Sequence, residues 1–222
     1  EEVKKEALEK ATYDLTFSFS PDLLDDDDFR EKIIHLCVRK LKTDPYFFVE
    51  IPHDLRSDDR VIDARREGFL YRLQVSPETF SNLSRDFQQD EDMIEAQRMG
   101  YINKVRKNHA AYKKVPDEFS KDKDILAARR ANLLDWIEER SVWAWNVVPD
   151  ELKSEPDFEA LKPVVIDQMC KDLESIPGLL DSHPIPKDLL GDERLYEAVL
   201  SALIKLIHIN IKHTYLVPSC MI

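Results

Sequence analysis

The sequence predicts an all-α protein, an α-solenoid of about six helix-turn-helix repeats with a period of about 32 residues. Two observations predict this class: glycine is scarce, and one short phrase recurs along the chain. The 222-residue chain has four glycines, where average usage would give roughly three to four times as many. Because antiparallel β-proteins need glycine at their turns, this scarcity disfavours an all-β fold. No two glycines lie close enough together to form a phosphate-binding loop.

The recurring phrase is a hydrophobic residue, a proline, any residue, an acid, and then leucine or phenylalanine. It is clearest at residues 51–55 and 148–152, and its proline position serves as the anchor for alignment. The six anchors are Pro21, Pro52, Ser84, Pro116, Pro149 and Pro186, at intervals of 31, 32, 32, 33 and 37 residues. An aromatic residue stands four positions before five of the six anchors. Agreement between such independent columns indicates an internal repeat.

Each repeat is expected to consist of a short helix, a tight turn and a longer helix. Six residues after each anchor stands an acid: Asp27, Asp58, Asp90, Asp122, Glu155 and Asp192. An acid at this position can accept hydrogen bonds from the free N–H groups of the first helical turn. Apolar residues follow at helical spacing over about four turns, which predicts the longer helix. The segment before the acid, such as residues 46–56, is predicted to form the shorter helix.

We expect one repeat array over residues 1–222 without a domain boundary, because a helix pair can bury its apolar faces only against its neighbours. Residues 1–12 are predicted to be the helix of a preceding repeat or an N-terminal cap. Residues 214–222 are predicted to begin a further repeat or to form a C-terminal cap. The chain begins with Glu-Glu, so we expect an excised fragment or a processed product. The longer final interval predicts a loop insertion around residues 176–178.

One family shares the pattern Pro-x-x-Leu-x-x-Asp-x-x-Val-x-x-Ala. The best matches are Pro52, Leu55, Asp58, Val61 and Ala64, and Pro116, Phe119, Asp122, Ile125 and Ala128. This pattern resembles the helical repeats called domain of unknown function 4116, over about residues 13–200. The resemblance implies a helical repeat and implies no biochemical activity.

Charge is distributed unevenly along the chain. Lys and Arg number 32 and Asp and Glu 44, so the formal charge is 32 − 44 = −12, which argues against a dedicated nucleic-acid binder. From Ala96 to Pro116, however, there is no Asp or Glu. This basic island could contact an acidic protein, including a second copy of this chain, or a nucleic acid or other anionic ligand. The candidate partner-binding residues are Arg98, Tyr101, Lys104, Arg106, Lys107, Lys113 and Lys114, together with Trp143.

Arginine recurs thirteen and fourteen residues after the anchors, at Arg65 and Arg129 and at Arg66, Arg98 and Arg130. One hypothesis is a ladder between repeats, in which the aliphatic stems pack and the guanidinium groups pair with the acid columns. The other hypothesis is a row of anion-binding groups on one face. The sequence leaves both open.

Candidate catalytic and metal-binding groups fall into no recognisable constellation. The acidic run Asp25–Asp28 lacks the spacing of a calcium loop, and the six histidines lack the spacing of a zinc motif. Cys37 and Cys170 fall within apolar helical patterns, and with Cys220 they form no paired motif. We therefore expect no cofactor, no metal and no membrane span, and a reducing, cytoplasmic location.

The predicted function is a non-catalytic protein–protein interaction scaffold, or the sensor segment of a larger protein. Its partner is expected to be a protein, with self-association possible. The alternatives are a binder of nucleic acid or anionic ligands through residues 98–114, and an enzyme whose site forms only in three dimensions.

Overall fold

The computed structural model describes residues 24–139 and 141–215. Within these ranges the chain is helical and contains no strand, so the predicted all-α class is confirmed. It divides into two compact units, Glu1–Ile125 and Leu126–Ile222. The single array stays a prediction. The anchor at Pro21, the predicted helix at residues 1–12 and residues 216–222 of the predicted further repeat lie outside the described residues.

Six long helices form the framework of the described ranges. They are α1 (Asp27–Thr43), α2 (Asp59–Val75), α3 (Glu91–Lys107), α4 (Lys123–Glu139), α5 (Pro156–Ser175) and α6 (Glu193–Tyr215). Helices α2, α3 and α4 begin 32 residues apart, and each has 17 residues. The boundary between the two units falls within α4. Residues 214–215, where a further repeat was predicted to begin, belong to α6 instead.

The predicted acids begin most of the long helices. Asp90 accepts hydrogen bonds from the N–H groups of Asp92 and Met93 at 2.9 and 3.3 Å. Asp58, Asp122 and Asp192 cap α2, α4 and α6 in the same way. Such a cap typically contributes about 1 kcal/mol of stability.

Two positions in the acid column differ from the prediction. Asp26, rather than Asp27, caps α1 by accepting from Phe29 N–H at 2.9 Å. Glu155 precedes α5 but makes no side-chain capping bond. Its side chain is one methylene longer than that of aspartate, and it accepts a hydrogen bond from Arg130 instead.

The segments between the long helices are short helices. They are Pro45–Glu50, His53–Leu55, Pro77–Asn82, Arg85–Gln88, His109–Lys114, Asp117–Phe119, Val142–Val147, Asp150–Lys153 and Leu179–Ser182. The single short helix predicted over residues 46–56 is therefore wrong, because two 3₁₀ helices occupy this stretch. Pro52 separates them: its ring disfavours a helical conformation at Ile51, which is extended at φ −69° and ψ 138°.

In the first unit α2 packs between α1 and α3. The contacts are close at Gly68 and Gly100, which each stand sixteen residues after an anchor. A Cβ atom at Gly68 would lie 2.2 Å from the carbonyl oxygen of Leu41 on α1, and one at Gly100 would lie 2.2 Å from that of Leu73 on α2. Glycine here lets each long helix rest against the backbone of the preceding one.

In the second unit α5 packs against α6, and the helix Val142–Val147 packs against α5. Trp145, Phe158, Leu173 and Leu195 are fully buried in the core of this unit. The helix α5 has 20 residues, three more than α2, α3 or α4. The predicted loop at residues 176–178 lies directly after it, before the short helix Leu179–Ser182.

The two described cysteines are free. Cys37 is fully buried in the core of the first unit, as predicted, and burial raises the pKa of its thiol to about 11. Cys170 is only partly buried. The cytoplasmic location stays a prediction.

Replacing Gly100 with alanine should destabilise the first unit. The added methyl group would lie 2.2 Å from the carbonyl oxygen of Leu73, much closer than van der Waals contact allows. The helices α2 and α3 must therefore separate, at a cost of about 1–3 kcal/mol or more. We expect a lower midpoint in urea denaturation followed by far-UV circular dichroism. Gly178→Ala is the control, because a Cβ atom there meets nothing within 4 Å. Equal midpoints for Gly100→Ala and the unchanged protein would contradict the close approach.

Candidate interaction surface

Arginines on one long helix bind the acids that begin the next. Arg66 on α2 donates to Asp90 at 3.0 Å and to Asp92 at 2.5 Å. Arg98 on α3 donates to Asp122 at 2.7 Å and also to Asp124. In the second unit Arg130 on α4 donates to Glu155 at 2.5 Å and also to Asp157. We call these three sets of ion pairs the arginine ladder.

The ladder confirms one of the two hypotheses for the column that holds Arg66, Arg98 and Arg130. Each guanidinium group already binds at least two carboxylates of its own chain. Because these carboxylates neutralise the guanidinium charge, the structure favours the ladder over an anion-binding row at this column.

The ladder also changes the pKa of one of its acids, Asp122. Hydrogen bonds from Arg98 lower the pKa of the Asp122 carboxyl. Partial burial opposes this effect, whereas the capped N–H groups of Asp124 and Ile125 add to it. Both favourable contacts stabilise the charged form. Asp122 therefore contributes more to the stability of the fold while it is ionised.

Two further arginines bind acids on the preceding long helix rather than on the next one. The sequence did not predict these ion pairs. Arg60 pairs with its own helix cap Asp58 and reaches back to Glu31 on α1 at 2.6 Å. In the second unit Arg194 pairs with Asp192 and reaches back to Asp167 on α5 at 2.7 Å. The sequence does distinguish these repeats: Arg60 and Arg194 stand two residues after the capping acid, where Asp92 and Asp124 stand in other repeats.

Arg65, in the arginine column thirteen residues after the anchors, lies among aromatic rings. The Arg65 guanidinium carbon lies 4.1 Å from the ring centre of Phe48, 5.3 Å from that of Phe87 and 5.5 Å from that of Phe69. Burial lowers the pKa of Arg65. Arg65 therefore stabilises the packing between aromatic columns through cation–π contacts.

Several residues of the predicted partner-binding set have roles within the chain. Arg98 belongs to the ladder, and Lys104 donates to Glu78 at 2.7 Å. Tyr101 is 3% exposed and Trp143 is 8% exposed. Because a partner can contact only exposed side chains, the prediction of Tyr101 and Trp143 as contact residues is wrong.

Burial of these two aromatics has identifiable causes. Tyr101 lies in the column of Phe69 and Leu133, which are buried as well. Trp143 lies in the short helix Val142–Val147, and its indole N–H donates to Asp172 at 3.0 Å. Its ring also lies 5.4 Å from that of His183. Trp143 thus satisfies its polar atom inside the second unit.

Four cations of the island remain exposed: Arg106, Lys107, Lys113 and Lys114. We call them the basic surface. The first two lie in the last turn of α3, and the other two in the last turn of the 3₁₀ helix His109–Lys114. Cations are favourable at helix C-termini because the backbone carbonyl groups there carry partial negative charge. Their position therefore stabilises both helix ends and also keeps four positive charges in contact with solvent.

A cavity of about 480 Å³ in the second unit is lined by equal numbers of basic and acidic side chains. Among them, Lys153 donates to Asp188 at 2.9 Å, and Trp145 N–H donates to the same carboxylate at 2.8 Å. No group of three His, Cys, Asp or Glu residues in the described ranges could hold a metal ion. None of the described helices has the length and apolar composition that a membrane crossing requires.

The chain matches no protein-family model, and comparisons with curated proteins and with solved structures likewise give no significant match. The resemblance to domain of unknown function 4116 therefore stays a prediction. The candidate surface rests on the geometry of this chain alone.

Asp122→Asn should remove the ion pair with Arg98 while the amide oxygen still caps α4. We expect the free energy of unfolding to fall by about 1 kcal/mol at neutral pH. The folded-state pKa of Asp122 is lowered. The stability that the ion pair contributes is therefore complete above the ordinary aspartate pKa of about 4. It is lost as the pH falls through the lower pKa that Asp122 has in the folded protein.

The stabilities of the variant and the unchanged protein should converge at the acid end of a thermal denaturation series. Asp63→Asn, an exposed change on α2 outside the ladder, is the control. A stability difference for Asp122→Asn that is independent of pH would contradict the ion-pair account.

Proposed function

We propose that the chain is a non-catalytic helical-repeat scaffold that docks an acidic protein segment on the basic surface. The observation that carries the proposal is the exposure of Arg106, Lys107, Lys113 and Lys114 in a stretch without acids, on a chain of net charge −12. A localised positive patch on an acidic protein can recruit a negatively charged partner and fix its orientation.

The proposed architecture is an α-solenoid of about six stacked repeats. Long helices that begin 32 residues apart support it, as do the close contacts at Gly68 and Gly100. The arginine ladder supports it too, because each arginine binds acids 24 to 27 residues further along the chain. In such an array every repeat contacts its neighbours and presents an extended outer surface.

An acidic protein segment fits the basic surface better than a nucleic acid does. Single-stranded nucleic acids bind through exposed aromatic rings as well as cations. Within the island Tyr101 is buried, and the hydroxyl of the partly buried Tyr112 donates to the Ser120 carbonyl at 2.7 Å. A short acidic peptide needs only the four local cations.

The proposal can be tested by fluorescence anisotropy with two probes, a flexible peptide rich in glutamate and a single-stranded RNA of similar charge. We expect the peptide to bind more tightly than the RNA. Lys107→Glu combined with Lys113→Glu should weaken peptide binding about tenfold or more, with a smaller salt dependence, because two attractive charges become repulsive.

The matched control is Lys32→Glu combined with Arg39→Glu, which makes the same charge change at exposed positions of α1. Equal weakening by both double variants would show that only net charge matters and would contradict a localised site. Tighter binding of the RNA, lost in the Lys107/Lys113 variant, would favour the nucleic-acid alternative. Absence of binding to either probe at low salt would contradict both.

A further inference from the structure

Two arginines on α2 differ from the ladder arginines because they bind no carboxylate of the described chain. Arg65 and Arg72 stand seven residues apart, which is about two helical turns, so they share one face of α2. Neither guanidinium group forms a hydrogen bond or an ion pair with a described residue. The Nε atom of each is buried without a hydrogen-bond partner, while each side chain as a whole is partly exposed. Buried polar groups normally have acceptors, so this face of α2 lacks an anion.

Aromatic rings hold both cations without accepting their hydrogen bonds. The guanidinium carbon of Arg72 lies 5.1 Å from the ring centre of Tyr46, and Arg65 lies among the phenylalanine rings described above. Tyr46 itself packs edge-on against Phe69, with the ring centres 5.2 Å apart. A ring covers the face of a guanidinium group, whereas the N–H donors point outward in the guanidinium plane. The rings therefore orient the two cations and leave their donors without acceptors.

The next repeat shows which chemical group fits against a cation at this position. Arg72 and Lys104 both stand twenty residues after their anchors, and Tyr46 and Glu78 both stand six residues before the same anchors. Tyr46 and Glu78 are each the second residue of a short helix that begins with proline. Lys104 donates to both carboxylate oxygens of Glu78, at 2.7 and 2.9 Å. A carboxylate therefore fits here, and in the earlier repeat Tyr46 stands in its place.

The charge of the second cation differs between these two repeats as well. Gln97 stands on α3 where Arg65 stands on α2, and its uncharged side chain is 4% exposed. The later repeat thus has one cation and one carboxylate at these positions, and the earlier repeat has two cations and no carboxylate. Burial lowers the pKa of Arg65, and no neighbouring carboxylate opposes this effect. Two positive charges on α2 are therefore not balanced at these positions.

We propose that Arg72 binds a carboxylate from outside the chain beside Tyr46, with Arg65 adding a second positive charge. The planar guanidinium group suits this ligand because it can donate to both carboxylate oxygens. The proposal rests on the proposed function and extends it: the carboxylate belongs to a glutamate or aspartate of the acidic segment that docks on the basic surface.

The basic surface lies close enough for one segment to reach both places. Both belong to the first unit, in which α2 packs against α3, and packed helices lie about 8–10 Å apart. Lys114 of the basic surface helps to lower the pKa of Glu78, which stands in the repeat next to Arg72. About three residues of extended chain span the distance between neighbouring helices. An acidic segment on the basic surface can therefore extend to Arg72.

Fluorescence anisotropy with the glutamate-rich peptide tests the site on the full 222-residue chain. Arg72→Gln should weaken peptide binding about threefold to tenfold, because a charge-assisted contact is lost. Arg39→Gln is the matched control, since it removes the same charge from an exposed position of α1. Circular dichroism of each variant checks that it is folded.

Equal weakening by Arg72→Gln and Arg39→Gln would overturn the proposal. Peptide binding that depends on Lys107 and Lys113 but not on Arg72 would also overturn it, and would leave the proposed function intact. Dependence on Arg72 without dependence on Lys107 and Lys113 would support the site and contradict the basic surface. Absence of peptide binding would contradict both.

Tyr46→Glu tests the site without a ligand. This change puts a carboxylate where Glu78 stands in the next repeat, so Arg72 should bind it within the chain. Tyr46→Glu should have a higher urea midpoint than Tyr46→Gln, and the difference should shrink when Arg72→Gln is added to both variants. Tyr46→Glu should also bind the peptide more weakly than Tyr46→Gln does, because its own carboxylate occupies Arg72. A difference in midpoint that is the same with and without Arg72 would overturn the proposal.

Discussion

The structure depends on carboxylates that serve two helices at once. Asp90 accepts hydrogen bonds from the backbone N–H groups that begin α3, and the same side chain accepts from Arg66 on α2. Asp122 does the same for α4 and α3. One charged group therefore fixes where a long helix begins and which helix precedes it. This double role explains why acid and arginine recur together with the period of the long helices.

The same arrangement places the charge of the ladder and the solvent-exposed charge at different positions of the repeat. Arg66, Arg98 and Arg130 are held by carboxylates of their own chain. The exposed cations of the basic surface lie at the ends of helices, where the backbone favours positive charge. The proposed docking surface would therefore use the same residues that stabilise these helix ends.

Much of the fold could be predicted from the sequence because it depends on local pattern. The acid at Asp90 acts on the adjacent backbone, so its position in the repeat alone predicted a helix start. The close contact at Gly100, the ion pair of Arg60 with Glu31, and the burial of Trp143 depend instead on how elements meet in three dimensions. A residue outside every repeated column, such as Trp143, gives no indication of which cavity its ring fills.

A double-mutant cycle on Arg66 and Asp90 tests most directly whether these carboxylates link consecutive helices. Free energies of unfolding would be measured for Arg66→Gln, Asp90→Asn and the double variant, with Asp90→Asn retaining an acceptor for the helix cap. The account predicts a favourable coupling of about 0.5–2 kcal/mol between the two positions. Additive effects of the two substitutions, with no coupling, would show that the cap and the arginine act separately and would contradict the account.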